Sequence, residues 1–328
     1  MDDVRESGVF ISWINYHGRS QGLGDALGYK VEFVGSHKNN AILRYVVSAA
    51  RTIRILRRSR PAVVAIMMPP LPLLIAIRIV ALHVPVVILA DLHSGVFLDP
   101  KWRWALPLTL KLLRKIDIAL VTNPELRQIC ESRDVDTKVV HDPLPPGACR
   151  VGLNHDEPHD NLIVVPLSYA NDEPIEEILA AAALTTNFNW TLTGTAPDEV
   201  RQNAPANVSF TGYLENEQYE HLLHSASVIV ALTNRPHTMQ RAAYEALAMA
   251  TPLVTSNFAE LRAYFGEAAS YTSIDAASIA LAVTAAHEDR TVGIERLRVK
   301  FSEKTMEEAQ TLVDLKSAIA AKVGVTGV

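Results

Sequence analysis

Cysteine is nearly absent. Cys130 and Cys149 are the only two in 328 residues, too few for a disulfide scaffold or, by themselves, a zinc site. A reducing, cytoplasmic compartment is the economical expectation. Long apolar runs are missing as well. The most membrane-like stretch, PAVVAIMMPPLPLLIAI from Pro61 to Ile77, falls short of the ~20 residues that span a bilayer. Pro69, Pro70 and Pro72 interrupt it and Arg78 follows at once, so it reads as a buried strand, a proline turn and a helix. No secretory signal is read at the start, where MDDVRES is acidic and polar. Repeats and low-complexity tracts are lacking. A hydrophobic fraction of 48% excludes disorder, collagen and coiled coil.

What is present suits two cores, because single cores stop growing near ~250–300 residues. The net charge of −5 hides an uneven division. Residues 1–150 hold 20 Lys and Arg against 13 Asp and Glu, and the remainder holds 11 against 23. A basic first half points to an anionic partner.

Short β-branched runs alternate with helical periods. VFISWI, KVEFV, AVVAIMM, VPVVILA, IDIALVT and TKVVH read as strands in the first half; NLIVVPL, WTLTG, VSFTG, VIVAL and PLVTS do so in the second. Helices are expected near 40–59, 71–82, 103–114, 124–132, 174–185, 215–225, 239–250, 274–287 and 305–322. Continuous apolar strands separated by helices mean parallel sheets covered on both faces. The segment 141–160, HDPLPPGACRVGLNHDEPHD, has no apolar period and reads as a linker. The expected division is a first domain over 1–145, a linker over 146–160, a second domain over 161–305, and a closing helix over 306–328 that packs back on the first. Two doubly wound α/β domains facing across a cleft are the expected architecture.

Two basic segments stand out. In 40–59, Ile42, Val46, Ala49, Ile53 and Leu56 fall on one helical face, with Arg44, Arg51, Arg54 and Arg58 roughly opposite. This is either an ordinary amphipathic surface helix or a contact for anionic lipid head groups. In LDPKWRWALPLTLKLLRK, Lys101 and Arg103 alternate with Trp102 and Trp104, a pattern that suits a membrane interface unless the tryptophans are core. No nucleic-acid motif is present.

Chemistry concentrates at strand ends. Gly18, Gly22, Gly24 and Gly28 follow the first strand, in or beside a turn that opens a helix. Their spacing is one residue too long for a dinucleotide fingerprint, and the second strand ends in Gly35 and Ser36 with no acid for a ribose. The fourth strand ends in ADLHSG, which places Asp91 and His93 at the functional edge of a parallel sheet. A His there could act on a sugar hydroxyl, with the carboxylate fixing its tautomer or simply closing the loop. Glu245 sits in an otherwise small, apolar helix, AAYEALAMA, where a carboxylate needs partners such as ribose hydroxyls.

The blocks NLIVVPL, WTLTGTAP, NVSFTGYL, YEHLLHSASVIVAL and YEALAMATPLVTSN, with RPAVVAIMMPPLPLLIAIRI and ADLHSG upstream, resemble GT-B nucleotide-sugar glycosyltransferases, family 4 above all. HGRS, DLHSG and ALVTNPELRQ are also similar to the chitobiosyldiphosphodolichol β-mannosyltransferases. The resemblance implies that Glu245 holds the donor ribose and that His93 lies near the transferred sugar. It puts Gly194 close to the nucleotide, Gly212 and Tyr213 at the base, and Gly18 and Arg19 near donor phosphate and acceptor.

The sequence departs from the family pattern in two places. His237 stands where the first Glu of the family's pair is expected, eight residues before Glu245, and Thr238, Met239 and Gln240 replace glycines. The segment LSYANDEP, with Ser168, carries no Arg or Lys to clamp a diphosphate. Arg19, Arg235, Arg241 and the N–H groups opening the 239–250 helix are the substitutes. The implied activity is transfer of a sugar from a UDP- or GDP-sugar, as co-substrate, to a lipid-linked or polysaccharide-precursor acceptor. No other cofactor and no metal is expected, and the protein is expected in the cytoplasm, in peripheral contact with the inner face of the membrane through its basic first half. Asp91 or another carboxylate would be the base if the reaction inverts. A non-catalytic GT-B subunit of a glycan-assembly complex, and a nucleotide-sugar hydrolase or epimerase, remain the alternatives.

Overall fold

The computed structural model describes residues 8–35, 40–113, 117–145 and 161–326. Ser36, Cys149 and the expected linker over 146–160 lie outside the described residues. The chain divides into two compact units, residues 1–143 with 307–328, and residues 144–306.

In the first unit the order is β1 (Gly8–Ser12), α1 (Gly18–Leu27), β2 (Lys30–Phe33), α2 (Ala41–Ser59), β3 (Val63–Met68), α3 (Leu71–Val80), β4 (Val87–Leu92), α4 (Ser94–Leu98), α5 (Leu106–Leu112), β5 (Ile118–Val121), α6 (Pro124–Glu131) and β6 (Thr137–Val139). In the second it is β7 (Leu162–Val165), α7 (Ile175–Leu184), β8 (Asn189–Thr193), α8 (Asp198–Gln202), β9 (Val208–Gly212), α9 (Asn216–Ser225), β10 (Val228–Ala231), α10 (Arg241–Met249), β11 (Leu253–Ser256), α11 (Ala259–Phe265), β12 (Ala269–Thr272) and α12 (Ala276–Glu288). The last helix, α13 (Arg290–Thr326), begins in the second unit and ends in the first.

Each unit holds one six-stranded sheet, ordered β2-β1-β3-β4-β5-β6 in the first and β12-β11-β10-β7-β8-β9 in the second. All strand pairs are parallel. Strands such as β3 and β10 are apolar throughout because helices cover both faces. In the first unit Leu56 of α2, Leu74 and Ile77 of α3, Leu110 of α5 and Leu126 of α6 pack on one face. Leu23 and Leu27 of α1, with Leu315 and Ile319 of α13, pack on the other. In the second unit α7 and α12 cover one face, and α9, α10 and α11 the other.

Local chemistry sets the helix ends. Asn40 accepts from the N–H groups of Ile42 and Leu43, Asn123 from Leu126 just before Pro124, and Asp275 from Ser278. Pro61–Ile77 forms β3, a proline turn and most of α3, and among the described residues no helix is long and apolar enough to cross a membrane.

α2 corrects the expected burial. Leu56 is buried and Ala49 and Ile53 are half-buried, but Ile42 and Val46 are 75% and 58% exposed. The helix packs instead through Ser48, which donates to the carbonyl of Val34, and Thr52, which accepts from the Trp13 indole N–H. Two hydroxyls with internal acceptors or donors bury as readily as methyl groups, and hydrophobic periodicity does not register them. Trp102 and Trp104 likewise differ: Trp102 packs against the core, whereas Trp104 is 69% exposed.

Candidate active site

In both sheets the strand order reverses beside the first strand of the unit, between β1 and β3 and between β7 and β10. Ligands of doubly wound sheets bind beyond the carboxyl ends of strands at such a switch point.

In the second unit that edge carries a cavity of about 330 Å³. Ser168 borders it after β7, Gly194 after β8 and Tyr213 after β9, while Arg241 and Glu245 reach it from α10. Glu245 is largely buried and its carboxylate is held from both sides: the Tyr219 hydroxyl donates at 2.7 Å and the Arg241 guanidinium at 3.1 Å. Burial and the neighbouring Glu245 charge push the Tyr219 phenol far above its ordinary pKa, so it remains a donor. Gln240 turns its side chain to the carbonyl of Leu232 and makes no cap hydrogen bond to the start of α10. The opening turn of α10 thus borders the cavity through Gln240, Arg241 and Ala242 with no side chain capping it. Gly194 has φ +76°, and a Cβ there would clash with the carbonyl oxygen of Leu167, so only glycine lets β8 turn so close to the β7 loop.

The loop after β7 is built on a carboxylate. Glu173 accepts from the N–H groups of Ser168 and Ala170 and from the Ser168 hydroxyl. Burial raises its pKa even though those hydrogen bonds pull it down. Arg235 is tied to the same loop, donating to Asn171 at 2.7 Å. His237, with φ +57°, gives its N–H to Glu260. Neither Arg235 nor His237 lines the cavity, and Gly212, with φ +71°, pairs with Gly194 beside it.

In the first unit the charged groups at the carboxyl ends of β1 and β4 satisfy one another. Arg19, 3% exposed, grips Asp91 with Nε at 3.0 Å and Nη2 at 2.7 Å. It also donates to Asp142 at 2.9 Å and to the carbonyl of Val140 at 2.9 Å. This corrects the expectation for Arg19: its buried guanidinium is already engaged by two carboxylates and a carbonyl, which balance its charge inside the unit. Asp91 changes role for the same reason. The Arg19 and His93 charges hold its carboxyl far below the usual range despite burial, which makes it a poor base. It instead meets His93 Nε2 at 3.0 Å and orients the ring, which is about one-fifth exposed. His17 caps α1 by accepting from the Ser20 N–H and stands edge-on to His93 with ring centroids 4.8 Å apart. Gly18 opens α1 with nothing near its missing Cβ; Gly22 faces Pro143 at 3.1 Å, and Gly24 packs on Val31. Gly22 and Gly24 thus serve packing, whereas Gly18 leaves open space at the start of α1.

Sequence reasoning passed over Tyr219, Glu173, His17 and Asp142. Tyr219 lay in a quoted helix and His17 in HGRS; Glu173 and Asp142 carried no local signal, because their partners are loop N–H groups and a side chain 123 residues away. Among the described residues no group of three or more His, Cys, Asp or Glu is placed to hold a metal ion.

Comparison with known proteins places this geometry. Residues 163–289 match the model of "Glycosyl transferases group 1". No curated protein sequence shows significant similarity to the chain. Among solved structures, sucrose-phosphate synthase from Thermosynechococcus elongatus superposes with TM-score 0.69 at 15% identity, over 95% of this chain and 100% of that one. HepE of Anabaena, solved with UDP and glucose, gives 0.67 at 12% identity over 97% and 100%. A UDP-forming trehalose-phosphate synthase from Burkholderia xenovorans gives 0.64 at 13% over 98% and 100%. The second unit thus carries a match to the group 1 glycosyl transferase domain, and the chain has the GT-B fold along its length.

Proposed function

We propose that the enzyme takes a sugar from a UDP- or GDP-sugar and passes it to a hydroxyl of a lipid-linked or polysaccharide-precursor acceptor. The observation that carries this reading is the cavity at the β7–β9 edge, where Glu245 and the N-terminus of α10 converge. In this reading Glu245 accepts from the donor ribose hydroxyls, with Tyr219 fixing the carboxylate. Gly194 leaves room beside the nucleotide and Tyr213 flanks the base. The diphosphate is met by the α10 N–H groups and by Arg241, whose side chain is 37% exposed and can turn from Glu245. Arg235 and His237 support the loops around the cavity instead.

Reaction breaks the bond between the anomeric carbon and the diphosphate oxygen and forms one to the acceptor oxygen. The nucleoside diphosphate leaves with the electron pair and the acceptor hydroxyl loses its proton. Helix dipole and guanidinium stabilise the departing charge. His93 is assigned to the transferred sugar, with Asp91 and Arg19 as the residues that hold its ring. The nucleotide sugar is consumed as co-substrate, and no resident cofactor is assigned. Membrane contact through the basic first unit is supported by exposed Trp104, which follows Arg103 directly and Lys101 by three residues, and by exposed Ile42 and Val46 on the arginine-bearing α2.

Calorimetric titration with UDP, GDP and their hexose conjugates tests the reading. Selective micromolar binding is expected, and a folded protein that binds none of them overturns it. His93→Ala should lower transfer by roughly 100-fold or more while nucleotide affinity stays unchanged; lost affinity would take His93 out of its assigned role.

A further inference from the structure

The first unit has a second concavity that none of the roles above uses. It encloses about 380 Å³ at the carboxyl ends of β1, β2 and β3, on the same sheet edge as His93. Three aromatic side chains wall it: Trp13, Tyr45 and Trp102. Trp13 stacks on Tyr45 with ring centroids 6.0 Å apart and 28° between planes, and Trp102 meets Tyr45 at 6.5 Å and 66°. The Trp13 N–H is held by Thr52, which fixes the ring. Asn15 adds an amide, and Arg44 projects its half-buried side chain from α2.

Arg44 differs from Arg19 in one respect. Among the described residues its guanidinium has no hydrogen bond or ion pair. No Asp or Glu lines the cavity; of the neighbouring cations, Lys101 lies over the Trp102 ring at 5.3 Å and Arg51 donates to the carbonyl of Gly35. A half-buried arginine without a carboxylate beside it is held ready for an anion, and its fork geometry matches phosphate oxygens. Fixed aromatic faces suit the apolar faces of a pyranose ring, and an amide suits its hydroxyls. Asn15 and Trp13 leave the end of β1 two to four residues before His17, whose ring touches that of His93.

We infer that this cavity binds the acceptor as a phosphorylated hexose, with the ring against Trp13, Tyr45 and Trp102 and the phosphate on Arg44. The inference rests on the glycosyltransferase reading and names the acceptor class within it. The same chemistry could come from a soluble sugar phosphate or from a sugar phosphate carried on a lipid. Exposed Ile42 and Leu43, two residues and one residue before Arg44, would lie beside a lipid chain in the second case.

The chain has four tryptophans, Trp13, Trp102, Trp104 and Trp190, so protein labelled with 5-fluorotryptophan offers one fluorine resonance for each. Trp13 and Trp102 report this cavity, exposed Trp104 reports the surface, and Trp190, fully buried in β8, is the control. The probes are glucose 6-phosphate, mannose 1-phosphate, unphosphorylated glucose, and phosphatidylcholine vesicles with and without polyprenyl-phosphate-linked mannose. Saturable shifts of Trp13 and Trp102 are expected with phosphorylated sugars, at least tenfold weaker binding with glucose, and a similar loss in Arg44→Gln. Shifts with free sugar phosphates identify a soluble acceptor, and shifts only with the loaded vesicles identify a lipid-linked one. Movement of Trp104 alone, with loaded and empty vesicles alike, means membrane contact without occupancy and overturns the inference. So does unaltered binding in Arg44→Gln, or no shift with any phosphorylated probe. Nucleotide titration of the same sample separates the readings. If UDP or GDP binds while the cavity is silent, only this inference fails; if neither binds, the glycosyltransferase assignment fails with it.

Discussion

Each unit builds a six-stranded parallel sheet, with one strand beyond β1 in the first and two beyond β7 in the second, and the two furnish the carboxyl edge differently. In the first, Arg19, Asp91 and Asp142 satisfy one another under cover, with Arg19 and Asp91 only 3% and 1% exposed. In the second, the Arg241 and Glu245 side chains are 37% and 14% exposed and border an open cavity. Both edges pair an arginine with a carboxylate at the carboxyl ends of parallel strands. The difference is desolvation: a fully buried pair is locked because separating it leaves an unpaired charge, whereas an i,i+4 pair at a cavity wall holds its members weakly. Architecture marks where a site belongs, and partner geometry decides which of its groups a ligand can use.

Breaking the first unit's network should have the largest effect. Arg19→Ala leaves Asp91 buried beside no guanidinium, and a loss of about 3–5 kcal/mol is expected in urea unfolding. An unchanged midpoint would mean that water or His93 replaces the arginine, and the contrast between the edges would dissolve.

Acid should distinguish the units next. Burial and the facing His93 hold His17 down to about 4 from its ordinary 6.5. Between those values the unfolded chain takes up a proton that the folded chain refuses. Stability therefore rises with pH across this window and is lost on acidification, by roughly 3 kcal/mol at most. Asp91 acts lower: its depressed pKa adds stability that is present above the ordinary carboxylate range and lost as pH falls below it. His17→Asn keeps a capping acceptor and removes the first titration, so its stability should be flat between pH 4 and 6.5. A slope that survives belongs to another group.

At the open edge the effects should be on binding rather than folding. Glu245→Ala removes the ribose acceptor and strands the Tyr219 hydroxyl; nucleotide affinity should fall roughly 10- to 100-fold, the value of a charged hydrogen bond. Unaltered affinity by calorimetry would withdraw the ribose role. Tyr219→Phe should be mildest, at about 1 kcal/mol or less in unfolding and a several-fold loss of nucleotide affinity. A larger effect than that of Glu245→Ala would make Tyr219 the direct contact.

Much of this was legible before any coordinates. Eleven strands stood out as apolar runs because burial on both faces removes alternation. The twelfth, β12, reads ASYT, a short edge strand of mostly half-buried small and polar residues with no such run. The helix expected over 305–322 begins instead at Arg290, since its first turns are charged and show no single apolar face. Ser168, Gly194, Tyr213, Arg241 and Glu245 come together at one cavity because strand ends and helix starts are local features, and a parallel sheet gathers them on one edge. Arg19 misled the sequence reading because a basic residue after a glycine looks the same whether its partner is a phosphate or a distant aspartate.

The sequence by itself determined the alternation of strands and helices, the two units and the edge on which chemistry belongs, since these follow from hydrophobic period and chain connectivity. Only the tertiary structure decided that Arg19 is locked to Asp91 and Asp142 while Arg44 stands open, that Asp91 steadies His93 rather than taking protons, and that Ile42 and Val46 face solvent. Arg19 meets Asp91 and Asp142 across 72 and 123 residues of chain, beyond any local pattern, and the electrostatic state of a buried group is set by such neighbours, not by its own identity.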